Sequence, residues 1–218
     1  MRQQDLGFDW PQASSLAGPA PAVEPERVVA PVTYVPGYLN PAQQAALYEE
    51  AKGYPLSSPD IRVYGQRYKI PRSQAWFGDD GCDYLFSSHL VKALPWPKYA
   101  NKLRHKLMRE LGLRLNGVLV NCYADGSETV GWHSDDETEI APHSTIASVS
   151  LGATRDFVIR HKQTQQKMSF ALAAGDLLLM HWPMQQEWEH ALPKRLKVTE
   201  PRLNFTFRHL LVDFHAGG

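Results

Sequence analysis

The sequence predicts a mostly β chain, a sandwich or barrel, with helices confined to its N-terminal half. Two patterns carry this. From residue 116 onward, short alternating strands follow one another with Gly, Pro, Asp or His turns and no helical period between them. Before that point, two segments show helical spacing with recognisable start and stop signals. At 43% hydrophobic and 11% aromatic residues, the chain can supply a real core.

In order, residues 1–30 (PQASSLAGPAPAVEPE within them) are rich in Pro, Ala and Ser and read as a disordered tail. VTYVPGYL reads as a short strand and turn. NPAQQAALYEEAKGY reads as a helix, with Asn40 as N-cap, Pro41 at the first helical position and Gly53 near its end. IRVYGQRYKIPRSQAWFGDDGCDYLFSS alternates and turns like β-hairpins. WPKYANKLRHKLMRELG places Leu103, Leu107 and Leu111 at helical spacing, and Gly112 stops it. GVLVNCYAD, TIASVSLG, RDFVIRHK, KMSFALAAGDLLLMH and RLNFTFRHLLV are the later strands. With no repeat and no sharp boundary, residues 31–215 are expected to form one domain.

Composition excludes several classes. No apolar run approaches the roughly 20 residues that span a bilayer. MRQQDLGFDWPQ lacks the apolar stretch of a signal peptide. Cys82 and Cys122 form no framework or metal spacing, and read as reduced thiols of an intracellular protein, cytoplasmic if bacterial and nuclear if eukaryotic. Net charge is zero, but unevenly spread. Residues 61–120 hold eleven Lys/Arg against four Asp/Glu, whereas residues 121–140 hold none against six. This is either a phosphate-facing surface beside a cation-binding pocket or a solvated, charge-mixed surface.

GWHSDDETEI carries that acidic run. In a strand, residues i and i+2 share a face, so His133 and Asp135 point together and Asp136 points away. A second histidine on a later strand would complete two imidazoles and one carboxylate, the set that leaves positions open on Fe(II) for oxygen chemistry. His190 is the best candidate, and His181 and His161 compete with it. In PRLNFTFRHL, alternation puts Arg202, Asn204, Thr206 and Arg208 on one face and Leu203, Phe205 and Phe207 on the other. Inward guanidiniums are costly without an anion, and a small dicarboxylate fits their fork. Asn121 and Tyr123 share the same i, i+2 relation and could supply further donors.

NCYADGSETVGWHSDDE, IASVSLGATRDFVIRHK, GDLLLMHWPMQQEWEHALP and PRLNFTFR, in that order, resemble the AlkB family of iron(II)- and 2-oxoglutarate-dependent nucleic-acid dealkylases, nearest its duplex-DNA branch. PRSQAWFGDDGCDYLFS resembles that family's nucleotide-recognition lid. The resemblance covers about residues 60–210. It implies a double-stranded β-helix (jelly-roll, cupin-like) core over about 116–210 and a lid over about 60–100. It implies Fe(II), held by His133, Asp135 and His190 as catalytic metal ligands, with 2-oxoglutarate and O2 as cosubstrates. Arg202 and Tyr123 would take the far carboxylate of 2-oxoglutarate, with Asn121, Asn204 and Arg208 around it and Arg208 nearer the metal. Tyr84 and Phe86 would line the pocket for a flipped base, with Asp136 and Glu137 at its polar edge. Tyr64 falls at an aromatic finger, Arg160 and Lys162 (RHK) at a loop that touches the opposite strand, and Arg72 at a possible phosphate contact or salt bridge. The implied activity is oxidative demethylation of N1-methyladenine and N3-methylcytosine in DNA, with formaldehyde, succinate and CO2 as products. An RNA dealkylase and a non-catalytic binder of damaged DNA are the alternatives, and a monomer is expected.

The chain also departs from the pattern. Tyr64 stands where phenylalanine is expected, Trp132 precedes the metal histidine where a smaller or polar residue is common, and QTQQKM is a short turn. QQDLGF, residues 3–8, resembles peptides that dock bacterial proteins on the replication sliding clamp. Deleting residues 1–10 is expected to remove clamp affinity in a pull-down. Unchanged affinity would dispose of the motif.

Overall fold

A computed structural model of the chain describes residues 29–63, 66–86 and 89–216. Tyr64 and the motif at residues 3–8 lie outside the described residues. β1 (Val32–Val35) leads into α1 (Pro41–Ala51), which starts as the sequence predicts. The Asn40 side chain accepts from the Gln43 N–H at 2.9 Å, and the Gln43 side chain accepts from the Asn40 N–H at 3.0 Å. α2 (Lys98–Leu111) ends at Gly112, whose φ of +66° is the left-handed cap that glycine adopts at little cost. Between them lie the hairpins β2 (Asp60–Val63)–β3 (Gln66–Lys69) and β5 (Tyr84–Phe86)–β6 (His89–Val91), with β4 (Ser73–Gly78) between the hairpins.

The remaining strands are β7 (Gly117–Tyr123), β8 (Val130–His133), β9 (Ile146–Gly152), β10 (Arg155–His161), β11 (Lys167–Leu172), β12 (Leu177–Met180), β13 (Trp188–Leu192) and β14 (Arg202–Arg208); α3 (Met184–Glu187) is a single turn before β13. They form a six-stranded sheet in the order β1, β12, β9, β14, β7, β4 and a four-stranded sheet in the order β11, β10, β13, β8. Every strand pair in both is antiparallel, the arrangement of a jelly-roll core. The stretch expected to be lid is interrupted: β4 belongs to the large sheet and pairs with β7 from Ser73–Cys122 to Gly78–Gly117. Its residues 74–78 are buried, so burial on both faces holds it there.

The two faces of the large sheet have different jobs. One packs Val118, Val149, Leu203 and Phe205 against Leu47 of α1 and Leu103 and Leu107 of α2. The other looks toward the small sheet. There Ile146, Leu178 and Met180 meet Phe157, Ile159 and Trp188 in an apolar cluster, and the rest of the space is a polar cavity. Thus β14 is buried throughout, with phenylalanines toward the helices and arginines toward the cavity.

Trp76 joins the large sheet to the β5–β6 hairpin. Its indole N–H donates to the Cys82 carbonyl at 2.8 Å, and its ring stacks on Tyr84 with centroids 4.8 Å apart. A Cβ at position 117 would lie 2.4 Å from that indole, so Gly117 is what admits it. Gly117→Ala is expected to cost about 1–3 kcal/mol by overpacking. A thermal melt of the variant checks this, and an unchanged Tm would contradict it.

Candidate active site

β8 and β13 pair so that His133 stands opposite His190, with ring centroids 4.2 Å apart. Asp135 lies just past the end of β8. Its backbone N–H donates to the Gln185 side chain at 2.9 Å, which fixes the loop there. Both imidazole Nε2 atoms approach the same carboxylate oxygen, Asp135 Oδ1, at 3.6 Å from His133 and 3.9 Å from His190. All three ligand atoms lie within 4.8 Å of one another. His133 Nδ1 sits 2.8 Å from the Gly131 carbonyl. A carbonyl only accepts, so Nδ1 carries the proton and the Nε2 lone pair is left for a metal. The competing histidines are elsewhere: His181 is held by Thr33 and Thr145, and His161 packs edge-on against Trp188.

The surroundings keep His190 and Asp135 in ligand form. His190 is buried against Phe157, and burial, then the neighbouring His133, pushes it down to about 3, so it is neutral at pH 7. Burial alone would raise Asp135. The Arg208 guanidinium outweighs it and holds the carboxyl well below the ordinary range. Arg208 Nη2 lies 2.9 Å from Asp135 Oδ2, leaving Oδ1 to face the histidines. Among the described residues no fourth His, Cys, Asp or Glu joins the group. That argues against a closed structural zinc site and fits an open Fe(II) triad.

A cavity of about 290 Å³ opens from this trio, lined by Asn121, Tyr123, Arg202, Asn204 and Arg208 among others. Arg202 is 2% exposed, stacks over the Tyr123 ring at 5.6 Å and donates to Ser150 Oγ at 2.9 Å. Its Nε is buried with no hydrogen-bond partner, and no carboxylate pairs with it among the described residues. Burial lowers it only to about 10, so it is a cation at pH 7, and a buried cation of this kind suits an anionic ligand. Asn204 is held by Ser148 at 2.8 Å and Thr206 at 3.1 Å, and Asn121 accepts from Arg72 Nε at 2.9 Å. Arg72 therefore faces the cavity, where the sequence suggested a phosphate contact or a salt bridge.

Tyr84 and Phe86 of the β5–β6 hairpin line the same cavity, as does Glu137. The Tyr84 hydroxyl donates to Glu137, and burial raises the phenol well above its ordinary value. Asp136 is not among the cavity's lining. It is exposed and borders a separate hollow with Thr138 and His143. Arg160 and Lys162 are also remote from the lining: Arg160 pairs with Glu189 at 2.7 Å, and Lys162 donates to the Gln185 carbonyl at 2.9 Å.

Four supporting residues escaped the sequence reading. Gln185 pins Asp135, Ser150 braces Arg202, Phe157 backs His190, and Glu139 accepts from the Leu85 N–H at 2.8 Å, tying β5 to the loop after β8. Only Phe157 and Ser150 had a signal, as inward positions of alternating strands.

Residues 31–208 match the family model described as the 2OG-Fe(II) oxygenase superfamily. The chain is 40% identical over 173 residues to the DNA oxidative demethylase ALKBH2 of Mus musculus, covering 76% of this chain and 72% of that protein. The chain belongs to the AlkB family of 2OG-Fe(II) oxygenases. It is also 42% identical to ALKBH2 of Homo sapiens, covering 70% of this chain and 61% of that one. To the human alpha-ketoglutarate-dependent dioxygenase alkB homolog 3 it is 33% identical, covering 67% and 54%. The solved structure of OsALKBH1 shares the fold with a TM-score of 0.58 at 18% identity, covering 84% of this chain and all of that one. As an AlkB-family oxygenase the chain uses Fe(II), 2-oxoglutarate and O2. No helix among the described residues is long and apolar enough to cross a membrane.

The depressed His190 pKa has a consequence for the metal-free protein. The unfolded chain takes up a proton at this residue as pH falls through about 6.5, while the folded chain resists until about 3. Stability is therefore full above about 6.5 and falls steadily below it. Chemical denaturation between pH 7 and 4.5 is expected to show a shallower pH dependence for His190→Asn than for wild type, and parallel curves would contradict the assignment.

Proposed function

We propose that this AlkB-family oxygenase is a DNA repair enzyme that oxidatively demethylates N1-methyladenine and N3-methylcytosine, releasing formaldehyde, succinate and CO2. The observation that carries it is one cavity that brings together the His133–Asp135–His190 trio, an unpaired buried arginine and a lid tyrosine bonded to a carboxylate. The names of the ALKBH2 relatives support DNA as the substrate.

His133, Asp135 and His190 would hold Fe(II), which with 2-oxoglutarate and O2 supplies the oxidising chemistry at the methyl carbon. Arg202, braced by Ser150 and stacked on Tyr123, binds the far carboxylate of 2-oxoglutarate. Arg208 keeps Asp135 anionic and turned toward the histidines. Asn121 and Asn204 line the cavity beside Arg202 and would offer further polar contacts to the cosubstrate. The target base leaves the stack at a cost of roughly a few kcal/mol, less for a methylated base that cannot pair. It enters between Tyr84 and Phe86. There Glu137, tied to Tyr84 and 3.7 Å from Arg208 Nη1, adds negative charge that favours a cationic methylated base over its neutral parent. Hydroxylation makes an N-hydroxymethyl group, which breaks its C–N bond to give formaldehyde and the repaired base. The hairpins at 60–69 and 84–91 serve as the lid over a single oxygenase unit spanning 31–215.

Formaldehyde release is expected from duplex and single-stranded DNA carrying N1-methyladenine, and none with His133→Ala. Release from methylated RNA alone would move the substrate to RNA. Absence of release from every methylated oligonucleotide would overturn the proposal. Arg202→Ala is expected to raise the KM for 2-oxoglutarate by at least about 30-fold, as for loss of a buried charge partner worth about 2 kcal/mol or more. A KM within a factor of two of wild type would remove Arg202 from this role. Glu137→Gln should lower the preference for methylated over unmodified oligonucleotide in competition binding, and an unchanged ratio would show that the carboxylate does not select the cation.

A further inference from the structure

The trio is not equally shielded. His133 has a side chain 37% exposed, whereas that of His190 is 5% exposed, so the cavity opens on the β8 side. β8 is also the free edge of the small sheet. Its pleat turns His133 inward and Trp132 outward. Trp132 is 37% exposed for so large a ring, and it sits on the outer face of the sheet with Arg160 over its indole at 4.4 Å and Lys167 at 6.0 Å. Arg160 and Lys167 are cross-strand partners on β10 and β11. Glu189, the residue that faces Arg160 from β13, holds its guanidinium in place. Lys167 is exposed and forms no ion pair among the described residues. Beside the indole lies a shallow hollow of about 230 Å³, walled by Gly131, Val158, Ala191 and Pro193.

We infer that Trp132 is a stacking platform for an unpaired base next to the target nucleotide, with Lys167 meeting the adjoining phosphate, which makes the outer face of β8 a single-strand docking surface. The inference rests on the dealkylase proposal for what enters the cavity. His133, the exposed member of the trio, ends β8, and the residue beside it that turns outward from that edge strand is an indole. Every base has a π-face, and a ring flanked by cations suits a polyanion whose bases are unstacked. Arg160, already paired with Glu189, clamps the indole and leaves the free charge to Lys167. Asp156, the other acid on this face, is paired with Arg195 at 2.5 Å and so does not oppose the strand.

The test is fluorescence anisotropy of the full chain with an unmodified, labelled single-stranded oligonucleotide, alongside formaldehyde release from a methylated one. Trp132→Ala is expected to weaken binding about five-fold or more, the loss of one stacked base. Trp132→Phe should retain most of the affinity, and Lys167→Ala should weaken binding and flatten its salt dependence. Quenching of tryptophan emission by the oligonucleotide should be smaller in Trp132→Phe than in wild type. Should Trp132→Ala fail to fold, Lys167→Ala and the quenching difference still decide the matter. If wild type demethylates but Trp132→Ala and Lys167→Ala bind like wild type, the docking surface is wrong and the dealkylase proposal stands. If wild type neither demethylates nor binds nucleic acid, both fall. The matching duplex is titrated in parallel, and variants weakened on the duplex but not on the single strand would overturn the single-strand assignment.

Discussion

Two guanidiniums are buried on one strand, and the site follows from how each is neutralised. β14 lies in the middle of the large sheet, covered on both faces, and Arg202 and Arg208 are each 2% exposed. A charge so placed must find a counter-charge inside the protein or in a ligand. Arg208 has its counter-charge in Asp135 at 2.9 Å, which orients one carboxylate oxygen toward two imidazoles. Arg202 has none from the protein among the described residues, only a serine and the face of a tyrosine. One arginine thus orients the carboxylate of the donor set, and the other is a buried cation whose proposed partner is the far carboxylate of 2-oxoglutarate. The two arginines stand six residues apart on a single strand and line one cavity.

Much of this was legible in the residues because β structure has a period of two. The alternation in RLNFTFR put arginines on one face and phenylalanines on the other, and the sheet keeps that division. The Asn40-Pro41 start and the Gly112 stop of the helices are local chemistry and were readable as such. His133 and Asp135 do share a focus, although Asp135 has already left the strand and a glutamine side chain turns it inward.

What the sequence hid depends on long-range pairing. Gln185 meets Asp135 across 50 residues and Glu139 meets Leu85 across 54, and nothing in either segment announces its partner. The place of β4 was hidden for the same reason. Its residues read as one hairpin among several, and only pairing with β7 assigns it to the large sheet. Asp136 and Glu137 show the limit of charge patterning. Adjacent acids look equivalent in sequence, yet one lines the cavity with Tyr84 and the other is exposed beyond it.

The loop from Asp135 to Glu139 supplies the carboxylate beside the histidines, the partner of Tyr84 and the anchor of Leu85 within five consecutive residues. Such economy ties separate traits to one short inheritance. A substitution at Glu137 or Glu139 also reaches the short loop that carries Asp135, so variants in this loop should show strong epistasis. Diversification among descendants of this chain is then easier on the hairpins and the outer strand edges than in the loop that joins them to the metal.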